Sequence, residues 1–299
     1  MKKLFILLAC AATMVACSKD EALEVNKGQK IGFANPFVSK VTKADVLTYG
    51  VSKDLEEFKV WGTVNGAPIY AGTTVAGTVG GDWTAAGEPQ YWAEGAAYKF
   101  AAIADGTAAT LANGLPATIS YTQADQLDLL YADAAVDAAL AAQPAVNFQF
   151  SHLLSKVKFT VTTDIAAEGY SHVVEAIKVD NFTTGTYTVA SGTWAGATDK
   201  EVAFNTITVN KANQTAVNDA VLLIPNAADF NVSFTVKFKK GDTVIWSKNY
   251  DETISQDLVK GHGYNFTIGL SAGNQIKFTV NNDPTAWIEN DPATTPIIP

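Results

Sequence analysis

Alternation of apolar and polar residues recurs along most of this chain, and it restricts the fold more than any other feature of the sequence. The stretch "KVKFTVTT" (156–163) is apolar at every second position in its first half, and "NVSFTVKF" (231–238) and "YNFTIGL" (264–270) follow the same pattern. Side chains on a β-strand point alternately to the two faces of its sheet, so this period predicts strands with one buried face. The core positions expected in the clearest strands are Val157, Phe159, Val161, Phe234, Val236, Phe266 and Ile268.

Turn residues separate these alternating runs. Asn65-Gly66 predicts a two-residue hairpin, because both residues tolerate positive φ. Gly241, between Lys240 and Asp242, favours a second turn into a strand at residues 243–248. The run 221–224 is apolar on both faces and precedes a proline, which predicts a central strand buried on both sides.

One alanine-rich stretch departs from the alternating pattern. In "DLLYADAAVDAALAAQP" apolar residues recur at helical spacing: Leu129, Ala132, Val136, Ala139 and Leu140. Alanine has the highest helix propensity, and the following Pro144 would stop a helix. We therefore expect a helix over residues 133–142.

Short strands joined by Gly, Asn and Asp turns are typical of β-sandwiches. The alanine-rich stretch separates two strand-rich halves, and the chain is long enough for two domains of ordinary size. The sequence thus predicts an all-β protein with two tandem β-sandwich domains, at residues 28–146 and 147–288. A proline-rich tail (289–299) follows them.

The two cysteines of the chain, Cys10 and Cys17, both lie near its start. A lysine pair and a nine-residue apolar run (4–12) precede Met14-Val15-Ala16-Cys17. This run is too short to span a bilayer, which needs roughly 20 residues, but it suits the core of a secretory signal. Lipidation at Cys10 would leave an apolar core of only about four residues, against the usual 7–15. We predict a lipoprotein signal peptide (1–16) and a lipid on Cys17.

Composition and charge narrow the function classes. Hydrophobic residues make up 47% of the chain and charged ones 17%, which argues against disorder. The formal net charge is −9, and all 21 basic residues are lysines. This acidity disfavours nucleic acid as a partner. The polar stretch after the lipid site (17–27) is expected to be a hydrated acidic tether.

Residues suited to catalysis or metal binding are few and scattered. The three histidines, His152, His172 and His262, lack the close spacing of a metal site, and no nucleophile elbow, phosphate loop or dinucleotide fingerprint is present. The acidic pairs Glu56-Glu57 and Glu289/Asp291 are more typical of solvated loops than of a glycosidase. The sequence therefore predicts no enzyme activity, no metal and no cofactor.

Six tryptophans leave a second interpretation open. A β-sandwich with exposed tryptophans lined along one face can stack on sugar rings. The alternative function is therefore a surface glycan-binding lipoprotein of a polysaccharide-uptake system. The six positions are Trp61, Trp83, Trp92, Trp194, Trp246 and Trp287.

Several stretches, taken in order, carry a resemblance to a known family. They are "WTAAGEPQYWAEGAAYKFAAIAD", "DLLYA" (128–132), "VNFQFSHLLSKVKFTV" (146–161), "LLIP" and "GHGYNFTIGLSAGNQIKFTVNNDPTAW". Together they resemble the fimbrillins of Bacteroidales, the Mfa-like or FimA-like subunits of type V pili. The resemblance covers roughly residues 28–288.

The resemblance implies two tandem sandwiches of the fimbrillin-like, transthyretin-like kind and no catalysis. It implies a fimbrial subunit or a tip or anchor adhesin on the outer membrane, held there by the Cys17 lipid. Other fimbrillin subunits would be partners through donor-strand exchange, and a host or bacterial surface molecule would be a ligand. The stretch "QKIGFANPFV" suits the exchanged first strand, with Ile31 and Phe33 on one face.

The resemblance also implies a candidate proteolytic processing site at Lys43 and Ala44 of this sequence. Many relatives carry Thr-Arg-Ala there, whereas this chain has Thr42-Lys43-Ala44. Because the chain contains no arginine, an activating cut would have to follow lysine or another residue. Cutting after Lys43 would separate the lipid and the first strand from the rest of the chain.

Overall fold

The computed structural model describes residues 28–38, 55–78, 80–138, 143–271 and 276–281 of the 299-residue chain. Within these residues the regular structure consists of strands and one 3₁₀ turn at Gln123–Asp125. The predicted all-β class is confirmed. In the same residues no helix is long and apolar enough to cross a membrane.

Nineteen strands follow one another along the described chain. In order they are β1 (Phe37–Val38), β2 (Glu57–Val64), β3 (Ala67–Ala76), β4 (Thr84–Ala85), β5 (Ala96–Ala104), β6 (Thr107–Ala112), β7 (Leu115–Thr122), β8 (Leu130–Ala138), β9 (Gln149–His152), β10 (Ser155–Thr163), β11 (Tyr170–Thr188), β12 (Thr193–Ala203), β13 (Ile207–Asn210), β14 (Thr215–Val217), β15 (Val221–Leu223), β16 (Phe230–Lys240), β17 (Thr243–Ile254), β18 (Gly263–Leu270) and β19 (Ile276–Asn281).

The strands form three sheets. The N-terminal sheet has the order β1-β9-β8-β5-β2-β3-β4. The β11 sheet has the order β17-β16-β11-β7-β6, with β12 and β13 also paired to β11. The β10 sheet has the order β14-β10-β18-β19, with β15 also paired to β10. Most pairs are antiparallel, whereas β10 with β18 and β1 with β9 are parallel.

Three clusters of buried side chains hold these sheets together. The C-terminal core is built from the facing sides of the β11 and β10 sheets. The N-terminal core covers one face of the N-terminal sheet. A linking core joins the other face of that sheet, through Trp61 and Ile103, to Ile119 of β7 and Tyr187 of β11. The sheets are thus connected by apolar packing as well as by backbone hydrogen bonds.

The strand facings and turns predicted from the sequence are confirmed. All seven predicted core residues are at most 2% exposed. Asn65 and Gly66 adopt φ of 46° and 84° in the turn between β2 and β3, and Gly241 adopts φ of 54° between β16 and β17. The apolar run at β15 is buried on both faces, since Leu222 belongs to the linking core and Leu223 to the C-terminal core. In the described residues β15 pairs with β10 alone, so it is not a central strand.

The helix expected over residues 133–142 is wrong. Residues 130–138 form strand β8, and 139–142 lie outside the described residues. Strand β8 pairs with β5 in an unbroken register from Ala96↔Ala138 to Ala104↔Leu130. Its alanines are small enough to pack on a sheet, and Leu130, Ala132 and Ala138 face the N-terminal core. Hydrogen bonding to a neighbouring strand therefore overrides the local helix propensity of alanine.

The predicted domain boundary near residue 146 stays a prediction. The hairpin of β6 and β7 comes from the first half of the chain, but β7 pairs with β11 from Thr184↔Thr122 to Thr188↔Thr118. Strand β11, from the second half of the chain, is thus hydrogen-bonded to a hairpin from the first half. Any division of the chain into two folding units has to account for this shared sheet.

The C-terminal core gives a direct test of the strand facing. Phe234 is 2% exposed, and its ring stacks on Tyr250 with centroids 5.3 Å apart. We expect Phe234→Ala to lower the free energy of unfolding by ~3–5 kcal/mol, the usual cost of truncating a buried Phe. Ile245→Ala, on the neighbouring strand at a side chain that is 51% exposed, should change it by less than about 0.5 kcal/mol. Urea unfolding measures both, and a loss below about 1 kcal/mol for Phe234→Ala would contradict the assigned facing.

Candidate functional site

The first described segment, residues 28–38, lies across the N-terminal core between two other parts of the chain. On one side it meets the loop that contains Trp83 and Trp92, and on the other the residues that lead into β9. Its backbone hydrogen bonds include Ile31 N–H to Gln90 O (2.8 Å), Trp92 N–H to Gln29 O (2.9 Å), Ala34 N–H to Val146 O (2.8 Å), Val146 N–H to Gly32 O (2.8 Å) and Phe37 N–H to Phe148 O (3.0 Å). We call residues 28–38 the first segment.

Two side chains of the first segment complete the N-terminal core. Ile31 is 2% exposed and Phe33 is 6% exposed. The ring of Phe33 lies 6.1 Å from Phe58, 5.9 Å from Tyr70 and 6.1 Å from Phe148, measured between centroids. These three rings form a groove, called here the aromatic groove, and Phe33 occupies it. The predicted positions Ile31 and Phe33 are therefore brought together in one buried site.

A side-chain hydrogen bond also joins the first segment to the groove. Asn35 Oδ1 accepts from the indole Nε1–H of Trp83 at 3.2 Å and from the backbone N–H of Gly80 at 3.3 Å. Trp83 is buried and stacks on Phe58 with centroids 5.5 Å apart. If the first segment left, this indole N–H would lose its acceptor. Leaving a buried donor unsatisfied costs about 1–3 kcal/mol.

The groove itself carries no charge at neutral pH. Burial raises the pKa of Tyr70 to about 12, so its phenol stays protonated. The walls are aromatic rings, and the first segment is also held by backbone hydrogen bonds and by the two hydrogen bonds of Asn35. Such a site suits an extended apolar peptide, which supplies both side chains for the groove and main-chain hydrogen bonds for its edges.

The walls of this groove were not identified from the sequence. Phe58 lies in the stretch "FKVWGTV" and Phe148 in "VNFQF", and alternation within a strand indicates at most which face of that strand is buried. What periodicity could not provide is their proximity to Phe33. The other predicted site residues, Cys17, Lys43 and Ala44, lie outside the described residues. Their roles remain predictions.

A buried acid–histidine pair joins the two motifs "DLLYA" and "VNFQFSHLLSKVKFTV". Asp128 Oδ1 lies 2.9 Å from His152 Nδ1, with side chains 0% and 3% exposed. Leu130 is paired with His152 in the sheet, so the contact fixes where β8 meets β9. His152 is therefore buried at the junction of the two strands. Across the described ranges no three His, Cys, Asp or Glu side chains group so that they could hold a metal ion.

The five tryptophans that the structure describes do not form an exposed row. Trp61, Trp83 and Trp92 are buried in the cores, while Trp194 and Trp246 are half-buried. Trp287 lies outside the described residues. A sugar-binding face made of several aligned tryptophans therefore has no counterpart among the five that are described.

The part that Phe33 plays in this site can be tested by hydrogen exchange. Phe33→Ala should weaken the first segment by about 3 kcal/mol, which corresponds to roughly a hundred-fold faster exchange if the segment opens locally. The amides of Trp92 and Val146 report on this opening, because both donate to the first segment. Phe37→Ala is the matched control, since Phe37 is on the same segment but 50% exposed. Equal protection of these amides in both variants would show that Phe33 does not hold the segment.

Comparisons with known proteins agree with the fold. A solved structure of a proposed cell adhesion protein from Bacteroides ovatus is 17% identical, with a TM-score of 0.56, over 88% of this chain and 99% of that one. A fimbrial protein from Bacteroides vulgatus is 14% identical, with a TM-score of 0.56, over 85% and 98%. A proposed cell adhesion protein from Bacteroides uniformis is 20% identical, with a TM-score of 0.52, over 86% and 97%. A search of curated proteins gave no significant match.

The sequence itself matches a protein-family model described as fimbrillin-like. The match extends over residues 42–284, which include most of the described strands of all three sheets. It confirms the resemblance that the ordered motifs predicted. This chain belongs to the fimbrillin-like family.

Proposed function

We propose that this protein is a cell-surface fimbrial subunit, or a tip or anchor adhesin of a fimbrium, that assembles by donor-strand exchange. The observation that carries the proposal is the first segment, which fills an aromatic groove with Phe33 and is bound on both sides through its backbone. Membership of the fimbrillin-like family supports the same function. The role is structural, and no catalytic step is part of it.

Exchange would begin with a cut between Lys43 and Ala44. The cut leaves the first segment attached to the fold by non-covalent contacts alone. When it leaves, the N–H of Trp92 and the N–H and C=O of Val146 lose their backbone partners. The rings around Phe33 become exposed at the same time. An open edge with apolar walls strongly favours pairing with another strand, so the incoming donor comes from a neighbouring subunit.

The positions of Ile31 and Phe33 define which side chains a donor strand must carry. Ile31 and Phe33 are two positions apart and face the same core. Because side chains on a strand alternate, the donor needs bulky apolar residues at positions i and i+2, and at least one should be large enough to fill the space of Phe33.

Anchoring would depend on the lipid at Cys17. One acyl chain gives only marginal membrane binding, whereas the two or three chains of a bacterial lipoprotein hold stably. The acidic tether (17–27) then spaces the fold from the outer membrane. Subunits that keep the segment before Lys43 remain anchored at the cell surface, and subunits that lose it can join the fimbrium.

Limited digestion tests the activation step. A lysine-specific protease should cut the native protein first after Lys43 and promote oligomers, because the vacated groove accepts donor strands. Lys43→Gln should be cut more slowly and remain monomeric. Mass spectrometry of the first fragments and size-exclusion chromatography give the two readouts. Early cutting at other lysines with Lys43 intact, or a nicked protein that stays monomeric with every candidate donor, would contradict the model.

Lipid attachment is tested by metabolic labelling. We expect Cys17→Ala to abolish incorporation of a radioactive fatty acid and to release the protein from the outer membrane. Cys10→Ala is the matched control and should be labelled like the wild type, because its cysteine lies within the signal peptide. Equal labelling of Cys17→Ala and wild type would remove Cys17 as the lipid site.

A further inference from the structure

A cavity lies beside the hairpin of β11 and β12, and none of its described lining residues belongs to the aromatic groove. It has a volume of about 500 Å³, within the ~300–1,000 Å³ usual for small-ligand pockets. Its walls come from the β11–β12 hairpin, from residues 225–227 and from residues 258–260. The side chains that matter for recognition are Phe182, Trp194, Asn226 and Lys260.

Two glycines allow two aromatic rings that line this cavity to pack against the backbone. Gly185 and Gly196 are directly opposed in the β11–β12 ladder. A Cβ at Gly196 would lie 2.1 Å from Phe182 Cγ, and one at Gly185 would lie 3.2 Å from Trp194 Cε3. The register shifts between Phe182 and Gly185, as at a β-bulge. The local sequence thus brings both rings close against the backbone, which larger residues at the glycine positions would prevent.

The indole of Trp194 is fixed in place. Its Nε1–H donates to the carbonyl of Leu153 at 2.8 Å, and its ring lies 5.5 Å from Tyr187 and 6.3 Å from Tyr121, between centroids. Yet Trp194 is only half-buried and lines the cavity. A rigid, partly exposed indole is a ready stacking surface for the C–H face of a sugar ring.

Among the residues that the structure describes, one cationic side chain lines the same cavity. Lys260 Nζ donates to the phenol oxygen of Tyr187 at 2.6 Å and lies 4.9 Å from the centre of its ring. An ammonium group has three donors, so it can bind a ligand while it keeps this contact. Gly192, with φ of 67°, leaves room for the ammonium, because a Cβ there would lie 3.3 Å from Nζ.

The described wall of the cavity lacks the acidic character of the protein as a whole. The chain has a net charge of −9, yet no Asp or Glu is among the residues that the structure describes in the cavity wall. A positive group without a nearby acid in the wall favours an anionic ligand. The amide of Asn226 adds a donor and an acceptor that suit sugar hydroxyl groups.

We propose that this cavity binds a sugar that carries a carboxylate, such as a uronic acid residue of a surface polysaccharide. The sugar ring stacks on Trp194 and its carboxylate pairs with Lys260. The inference rests on the adhesin part of the proposed function, for which it supplies the class of ligand. It is independent of strand exchange, because the cavity residues and the first segment belong to different parts of the fold.

Two sugars that differ in one group provide the test. The full-length lipoprotein in detergent is titrated with methyl β-D-glucuronide and with methyl β-D-glucoside, and binding is followed by tryptophan fluorescence and saturation-transfer NMR. We expect the glucuronide to bind at least ten-fold more tightly than the glucoside, and sodium acetate to compete at least ten-fold less well than the glucuronide. Equal binding of the two sugars, no binding of either, or competition by acetate at the same concentration as the glucuronide would overturn the proposal.

A pair of lysine variants locates the effect. Lys260→Met should lower affinity for the glucuronide at least ten-fold and leave the glucoside unchanged. Lys248→Met is the matched control, since Lys248 also lies over a tyrosine ring, 4.8 Å from Tyr250, but does not line the cavity. An unchanged affinity in Lys260→Met, or an equal loss in Lys248→Met, would contradict the assignment. If Lys260→Met fails to fold, the salt dependence of the wild-type protein provides the test. An affinity for the glucuronide that falls with added salt, with no change for the glucoside, supports the charge pairing. Equal salt dependence for the two sugars opposes the charge pairing.

Failure here can be told apart from failure of the assembly model. The same preparation is digested with the lysine-specific protease and examined for oligomers. Oligomers without sugar binding would remove the ligand proposal and leave strand exchange standing. Sugar binding without oligomers would remove the strand-exchange model and leave the ligand proposal standing.

Discussion

The need to pair every buried backbone group makes β11 the element on which the rest of the structure depends. This strand is 19 residues long and hydrogen-bonds with β7, β12, β13 and β16. A bulge at Ala176, with φ of 50°, lets both Val174 and Ile177 face the C-terminal core although they are three positions apart. Through these pairings one strand joins a hairpin of the first half of the chain to the sheet of the second.

Where strand pairing stops, side-chain amides take its place. Leu222 donates its N–H to Gln126 Oε1 at 2.8 Å and accepts from Gln126 Nε2 at 3.1 Å. Ile224 makes the same two-bond contact with Asn181, at 3.2 and 3.1 Å. Each amide thus acts as a short piece of a neighbouring strand. The two amides thus satisfy the backbone N–H and C=O groups of a segment that is buried on both faces. The chain can then turn at Pro225, which lines the cavity.

Periodicity in the sequence was sufficient for most strands, because burial of Phe159, Phe234 and Phe266 depends only on alternation within one strand. It failed at β8, where the local propensity of alanine favours a helix and pairing with β5 decides for a strand. The same limit applies to the sites. Ile31 and Phe33 were predicted to share one face of the exchanged first strand, whereas the groove around them comes from distant parts of the chain. Contacts of that kind follow from the tertiary fold and have no local signal.

The aromatic groove and the cavity differ in whether their main-chain N–H and C=O groups are available to a ligand. At the groove, Trp92 and Val146 use their main-chain groups to bind the first segment, so a replacement must itself be a strand. In the cavity wall, Asn226 and Leu258 hydrogen-bond each other in both directions, at 2.9 and 2.8 Å. With those main-chain groups already paired, recognition there depends on side chains. A ligand of the cavity must therefore satisfy an indole face and an ammonium group, which a carboxylated sugar can do and an extended peptide strand cannot do through its backbone.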